Sequence, residues 1–369
     1  MNPLKTFRIP LVLTVIAVVG AGILGGPKVG LVVALLAVLE ISISFDNAIV
    51  NAAVLKTMSE KWQKIFLTWG ILIAVFGMRL IFPIVIVSLA AGIGLHDVVD
   101  LALNNQDEYA RHLTEAYPDI AAFGGIFLLL VFLNFFLDED KDTHWLGPIE
   151  RPLAKLGHID AITSAIAAIV LLLLSQFVKA DLKEPILVSG LAGMIAYLLS
   201  NGVAGRLEES LEAGETEDEV EDAGASAHEV RIAAASAVAK GGLASFLYLE
   251  LLDASFSFDG VIGAFAISTD IIVIAIGLGL GAIYIRTMTV YLVRAGTLSE
   301  YRFLEHGAHW AIGILAVLLF IGIEHHIPEV VTGSLGALTI ILAFAWSVRA
   351  NRLEDAEDAE AAGTRSASA

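Results

Sequence analysis

Between Leu39 and Asn51 the chain sets two carboxylates, Glu40 and Asp46, in the middle of a long apolar run, and between Leu252 and Ala264 it does so again with Asp253 and Asp259. Glu40, Ser42, Ser44, Phe45 and Asp46 are each answered by Asp253, Ser255, Ser257, Phe258 and Asp259, always 213 positions later. Shared composition does not keep register in this way, so the stretch is an internal repeat. An ionised group near the centre of an apolar span costs at least about 2.5 to 3.5 kcal/mol to insert. A chain that spends this on Glu40, Asp46, Glu250, Asp253 and Asp259 must use them or compensate them.

The rest of the sequence defines the medium. Over 369 residues, 57% are hydrophobic and 17% charged, with a mean hydropathy of +0.79. This is more apolar surface than a soluble core needs, and it reads as a polytopic membrane protein embedded in a lipid bilayer. The net charge of -18 comes mostly from nine acids at 207–222 and five at 354–360. Both tracts read as solvated and disordered. There is no cysteine, so thiolate chemistry and disulfides are excluded. No basic stripe suggests nucleic acid.

About 20 apolar residues cross a bilayer core. By that criterion the expectation is an all-α bundle of about ten transmembrane helices, near 9–26, 29–55, 64–94, 119–138, 160–180, 185–204, 241–268, 270–293, 305–324 and 328–348. Pro83 predicts a kink in the third. The organisation expected is an N-terminal transmembrane helix at 1–28, a first repeat at 29–138, a linking helix pair at 139–204, an acidic cytoplasmic loop at 205–231, a second repeat at 232–326, a last helix at 327–349 and an acidic tail at 350–369. Lys5 and Arg8 precede the first apolar run, but no small-x-small cleavage site follows, so it is read as a membrane helix and not a cleaved signal.

With the N-terminus inside, 16 of the 22 Lys and Arg residues fall on the cytoplasmic side, which orients the chain N-in and C-in. The segment 95–118 is then an external loop. The two motif copies lie on the second and seventh spans, an odd number of crossings apart, and so run in opposite directions. Gly70 to Arg79 and Gly277 to Arg286 repeat the next span at an offset of 207. Oppositely oriented repeats with polar groups near mid-membrane are a common plan of secondary transporters.

On an ideal helix Glu40, Ser44, Asn47 and Asn51 share one face, with Ser42 and Asp46 on its neighbour; Asp253 with Ser257, and Ser255 with Asp259, repeat the two faces. These are hard oxygen ligands suited to Mg, Ca or Mn. The candidate metal ligands are Glu40, Asp46, Asn47, Glu250, Asp253 and Asp259. Ser42, Ser44, Asn51, Ser255 and Ser257 are auxiliary. Five carboxylates against Arg79 and Arg286 leave -3, to be offset by a cation, by protons, or by both. Hence the expectation of a transported divalent cation with protons as coupling ion, and of no permanently bound cofactor. His306 and His309 at i, i+3 could share a metal but read better as an interfacial pair.

Leu39-Glu40 followed by Asp46-Asn47, then Glu250, Asp253 and Asp259, then Tyr284 near Arg286, with a late His326-Ile327-Pro328 turn, resemble the TerC-like integral membrane proteins of the LysE-type exporter superfamily. The long segment at 95–118 and the Ser-Phe-Asp form of both motifs mark a divergent subgroup. The resemblance implies a bacterial inner-membrane exporter of a divalent cation, Mn first and Ca next, with a link to tellurium-oxyanion resistance. A net negative site disfavours direct passage of an oxyanion. The alternative is a membrane scaffold or metal-loading partner recruiting proteins through its acidic tracts. No catalytic motif points to an enzyme.

Overall fold

The computed structural model describes the backbone of residues 3–139, 141–159, 161–212, 227–325 and 327–367, without side-chain description at 3–4, 201–241, 258, 259, 266, 329 and 355–367. The described residues are helical throughout, with no strand among them. The helices used below are α1 (Arg8–Gly25), α2 (Pro27–Ile43), α3 (Phe45–Leu55), α4 (Glu60–Ile65), α5 (Phe82–Ala91), α6 (Leu95–Asn104), α7 (Gln106–Glu115), α8 (Tyr117–Phe136), α9 (Gly147–Ala154), α10 (Ile162–Phe177), α11 (Lys183–Glu212), α12 (Ala227–Ile267), α13 (Ile271–Ala295), α14 (Leu304–Gly322) and α15 (Glu329–Ala367).

Six helical stretches among the described residues are long and apolar enough to cross a membrane: α1, Ile73–Ala91, α8, α13, α14 and Val330–Glu354 within α15. The pair α2 and α3, bent by 54°, adds a seventh if taken as one broken span. The ten expected spans are therefore not all met. The run expected at 160–180 forms α10, shorter than the others. Those at 185–204 and 241–268 fall on α11 and α12, whose side chains are described only in part. The acidic stretch 213–226 lies outside the described residues, whereas the tail continues the α15 backbone to Ala367.

The kink expected at Pro83 is displaced. Pro83 sits in the first turn of α5, where its missing N–H costs nothing, and the irregularity lies ahead of it as π-helical turns at Phe66–Gly70 and Ile73–Ile81. The segment 95–118, expected as a loop, is helical. Val98 with Ala102 on α6, and Tyr109 with Leu113 on α7, form i, i+4 apolar pairs that bury against the bundle, and Gly92 at φ +65° turns the chain into them.

α8 is the central post, buried over most of its length from Ile120 to Phe136. Glycines let neighbours close on it: a Cβ at Gly193 of α11 would come within 2.3 Å of the Phe123 carbonyl. α1 and α2 turn on Gly26, at φ +93° with Pro27 following as the first helical residue, and α1 is anchored by Phe7 stacking on Tyr284 of α13 at 6.2 Å. α13 lies along α2 because Gly277 and Gly281 present no side chain to Leu36 and Glu40.

Candidate functional site

Glu40 on α2 is 1% exposed and ion-paired to Arg79 from the π-helical turn Ile73–Ile81. Arg79 also donates to the Ala74 carbonyl at 2.5 Å, and the Ser44 hydroxyl donates to Glu40 Oε1 at 3.1 Å. In the second copy Arg286 of α13, 1% exposed, lies 3.1 Å from both Glu250 oxygens and donates to Oε2. It reaches Asp253 Oδ2 at 3.4 Å and covers the Phe66 ring at 4.0 Å. The arginines of the two repeats thus hold the acids of the two repeats.

The copies also touch each other, and reciprocally. Asn47 Nδ2 donates to Asp253 Oδ1 at 2.7 Å, while Gly260, the counterpart of Asn47, faces Glu40, the counterpart of Asp253. A Cβ at Gly260 would stand 2.9 Å from Glu40 Oε2. Gly70 likewise clears space for Glu250 Oε1 and Arg286 Nη1, at 2.9 and 3.0 Å from where its Cβ would be.

The auxiliary residues divide. Ser44, Asn51, Ser255 and Ser257 are buried; Ser255 donates to the Leu251 carbonyl at 3.0 Å, and Asn51 and Ser257 make no side-chain hydrogen bond. Ser42 does not join them: it is exposed and donates to the Val38 carbonyl at 2.8 Å. The bend at Ser44 breaks the single face expected for Glu40 through Asn51 and sends Asp46 to the α15 side, where its Oδ2 lies 3.0 Å from the Cβ position of Gly336. Asp46 Oδ1 accepts from the Asn47 backbone N–H at 2.9 Å, and no arginine pairs with it among the described residues. The Asp259 side chain lies outside the described residues.

Among the described residues no three acidic or histidine side chains converge closely enough to hold one metal ion. Arg286 lies between Glu250 and Asp253, and Arg79 covers Glu40. Even so, buried oxygens remain without a hydrogen bond: Glu40 Oε2, Asn47 Oδ1, Asn51 Oδ1 and Ser257 Oγ, while Glu250 Oε1 is held only by its ion pair with Arg286. An unpaired buried polar atom costs about 1 to 3 kcal/mol. Glu40, Glu250 and Asp253 against Arg79 and Arg286 leave a formal -1, and Asp46 adds one more apart from them.

The histidine pair is structural. His306 Nε2 donates to the Thr143 carbonyl at 2.7 Å, and His309 donates to the Glu305 carbonyl at 2.8 Å while stacking on Phe135 at 3.7 Å. Sequence reading missed Glu150, 1% exposed, which accepts from the backbone of Trp145 and Leu146 and from Trp310 Nε1. It fastens the segment after α8 to α14, and its place in a short Pro-flanked helix gave no signal. Near the late turn, Glu324 accepts from the Lys179 N–H at 3.1 Å, and His326 lies outside the described residues.

Apolar helices enclosing a buried, arginine-compensated acid cluster define a multi-pass helical membrane protein. The chain belongs to DUF475, a family described as proteins of unknown function, whose model matches residues 45–354. No curated protein and no solved structure matches it.

Proposed function

We propose that this protein is a transporter that exports a divalent cation, Mn foremost and Ca next, through a site shared by the two motif copies. The observation that carries the reading is the set of buried oxygens without a partner spread across both copies, Glu40 Oε2, Asn47 Oδ1 and Ser257 Oγ, within a formally negative cluster. A hard divalent ion satisfies such oxygens and offsets the negative charge that the arginines leave. Without cargo, Arg79 and Arg286 hold the acids; with cargo, they release them. The arginines are thus the standing counter-ions of the empty state.

The reciprocal contacts of Asn47 with Asp253 and Gly260 with Glu40 support an inverted repeat, and the placement of lysines and arginines supports an N-in, C-in chain of about ten spans. The TerC-like resemblance supplies the outward direction and the bacterial inner membrane. Access from the cytoplasmic side is supported by a cavity of about 280 Å³ at the end of α3, lined by Glu60, Gln63, Lys64 and Arg294. The test is Mn uptake into inside-out vesicles, with Ca, Mg and Zn beside it. Accumulation by the parent and its loss in Glu250→Gln and Asp253→Asn supports transport. Equal behaviour of parent and variants leaves the acids a scaffolding role and ends the proposal.

A further inference from the structure

Asp46 is the one carboxylate of the four described in the site that has no arginine, and its surroundings differ in kind from those of the cluster. The bend at Ser44 turns it toward α15 into a small cavity that it shares with Ser44, Thr332, Ile43, Phe256 and Leu315. The free space there is ≈ 10 Å³ for the centre of a water-sized sphere, which is room for about one water or one desolvated small ion. Asp46, Ser44 and Thr332 are all at least nine-tenths buried, at 6%, 5% and 8% exposure. Asp46 makes no ion pair among the described residues, so a buried carboxyl faces a one-ion space beside two hydroxyls. Asp46 also lies in the first turn of α3 and accepts from the Asn47 N–H.

We propose that Asp46, Ser44 and Thr332 form a separate station for a small monovalent cation of sodium size, the ion that drives transport. The inference rests on the transporter reading, and it moves Asp46 from the divalent site to the coupling ion. A single carboxylate with neutral hydroxyls matches one positive charge and undercharges a divalent one. Ser44 joins the two sites: its proton goes to Glu40 Oε1 at 3.1 Å, which leaves its lone pairs for an ion beside Asp46. An ion there polarises the hydroxyl and strengthens its hydrogen bond to Glu40, changing the charge available in the cluster.

A groove of about 500 Å³ between α2 and α15 shares Ile43 and Gly333 with the small cavity, and a Cβ at Gly333 would come within 2.9 Å of Ile43.

The test is thermal unfolding of the purified full chain in detergent, titrated with NaCl, KCl, LiCl or choline chloride at equal ionic strength, with bound Mn counted by EPR on the same samples. Sodium is expected to raise the midpoint above choline. Thr332→Val, nearly isosteric, is expected to move the half-maximal sodium concentration up by about tenfold, the equivalent of one lost charge-assisted contact, and to keep its Mn. If Thr332→Val cannot be recovered folded, Gly336→Ala crowds Asp46 Oδ2 from the same helix and is expected to give the same shift. A midpoint that answers all four salts alike, a sodium response unchanged in these variants, or a response to pH in choline with none to sodium overturns the station. Loss of Mn binding by the parent with the sodium response intact overturns the divalent reading alone.

Discussion

The two motif copies carry the same Ser-Phe-Asp, yet one bends and the other runs straight. The first is broken by 54° at Ser44 between α2 and α3; the second lies inside the uninterrupted helix α12. The shared Ser-Phe-Asp by itself therefore does not make the bend. The copies also differ in what packs outside: Gly333 and Gly336 bring the α15 backbone against Ile43 and Asp46. The second difference is electrical. Arg79 holds one acid, whereas Arg286 holds two, Glu250 and Asp253. The copies share a framework and divide its work, the second concentrating paired charge and the first setting one acid apart.

The largest effect should come from the arginines. Arg286→Met strands two buried acids and is expected to cost about 3 to 5 kcal/mol or more, while Arg79→Met strands only Glu40 and costs the lower part of that range. Denaturant unfolding in detergent measures the order, and Arg79→Met is expected to recover when Glu40→Gln is added. An equal cost for both arginines would break the comparison.

Packing comes next. Gly281→Ala sets a Cβ 2.4 Å from Glu40 Cβ and Cγ, an overlap expected to cost about 1 to 3 kcal/mol. Gly70→Ala meets only the tips of Glu250 and Arg286, at 2.9 and 3.0 Å, and is expected to cost less. Thermal midpoints of the two variants check this order.

The reciprocal contact predicts a smaller loss. Asn47→Ala removes the 2.7 Å hydrogen bond to Asp253 and is expected to cost about 1 to 2 kcal/mol, whereas Gly260→Ala only presses on Glu40 Oε2. A double-mutant cycle of Asn47→Ala with Asp253→Asn should give a coupling above about 0.5 kcal/mol, and additivity would deny the contact.

A last effect lies outside the site and serves as its control. Burial of Lys141 against Phe135, 3.3 Å beneath its ammonium, pushes its pKa down to about 8. The folded pKa is below the unfolded one, so the unfolded chain binds more protons between about pH 8 and 10.5 and stability rises with pH across that window. Lys141→Met should flatten the rise, measured by thermal midpoints from pH 7.5 to 10.5, without altering cation binding.

The repeated acids, their arginines and the helical class were legible because an ionised residue in an apolar run is costly enough to carry information by itself. The pairing of Arg79 with Glu40 and Arg286 with Asp253 follows the repeat register. The bend at Ser44 was not legible, because periodicity records only local geometry and the shared motif bends in one copy alone. Asp46 was accordingly grouped with acids it does not join, and Ser42 with ligands although it faces outward. The helical hairpin at Leu95–Glu115 escaped for another reason: its i, i+4 apolar pairs are short and sit among acids, so net polarity hid them.

The most direct test counts ions. Mn bound per chain is measured by EPR in the parent, in Glu40→Gln, in Glu250→Gln and in the double variant. A site shared between the copies predicts one Mn in the cluster, weakened by either single variant and lost in the double. Two ions in the parent, with one removed by each variant independently, would contradict it.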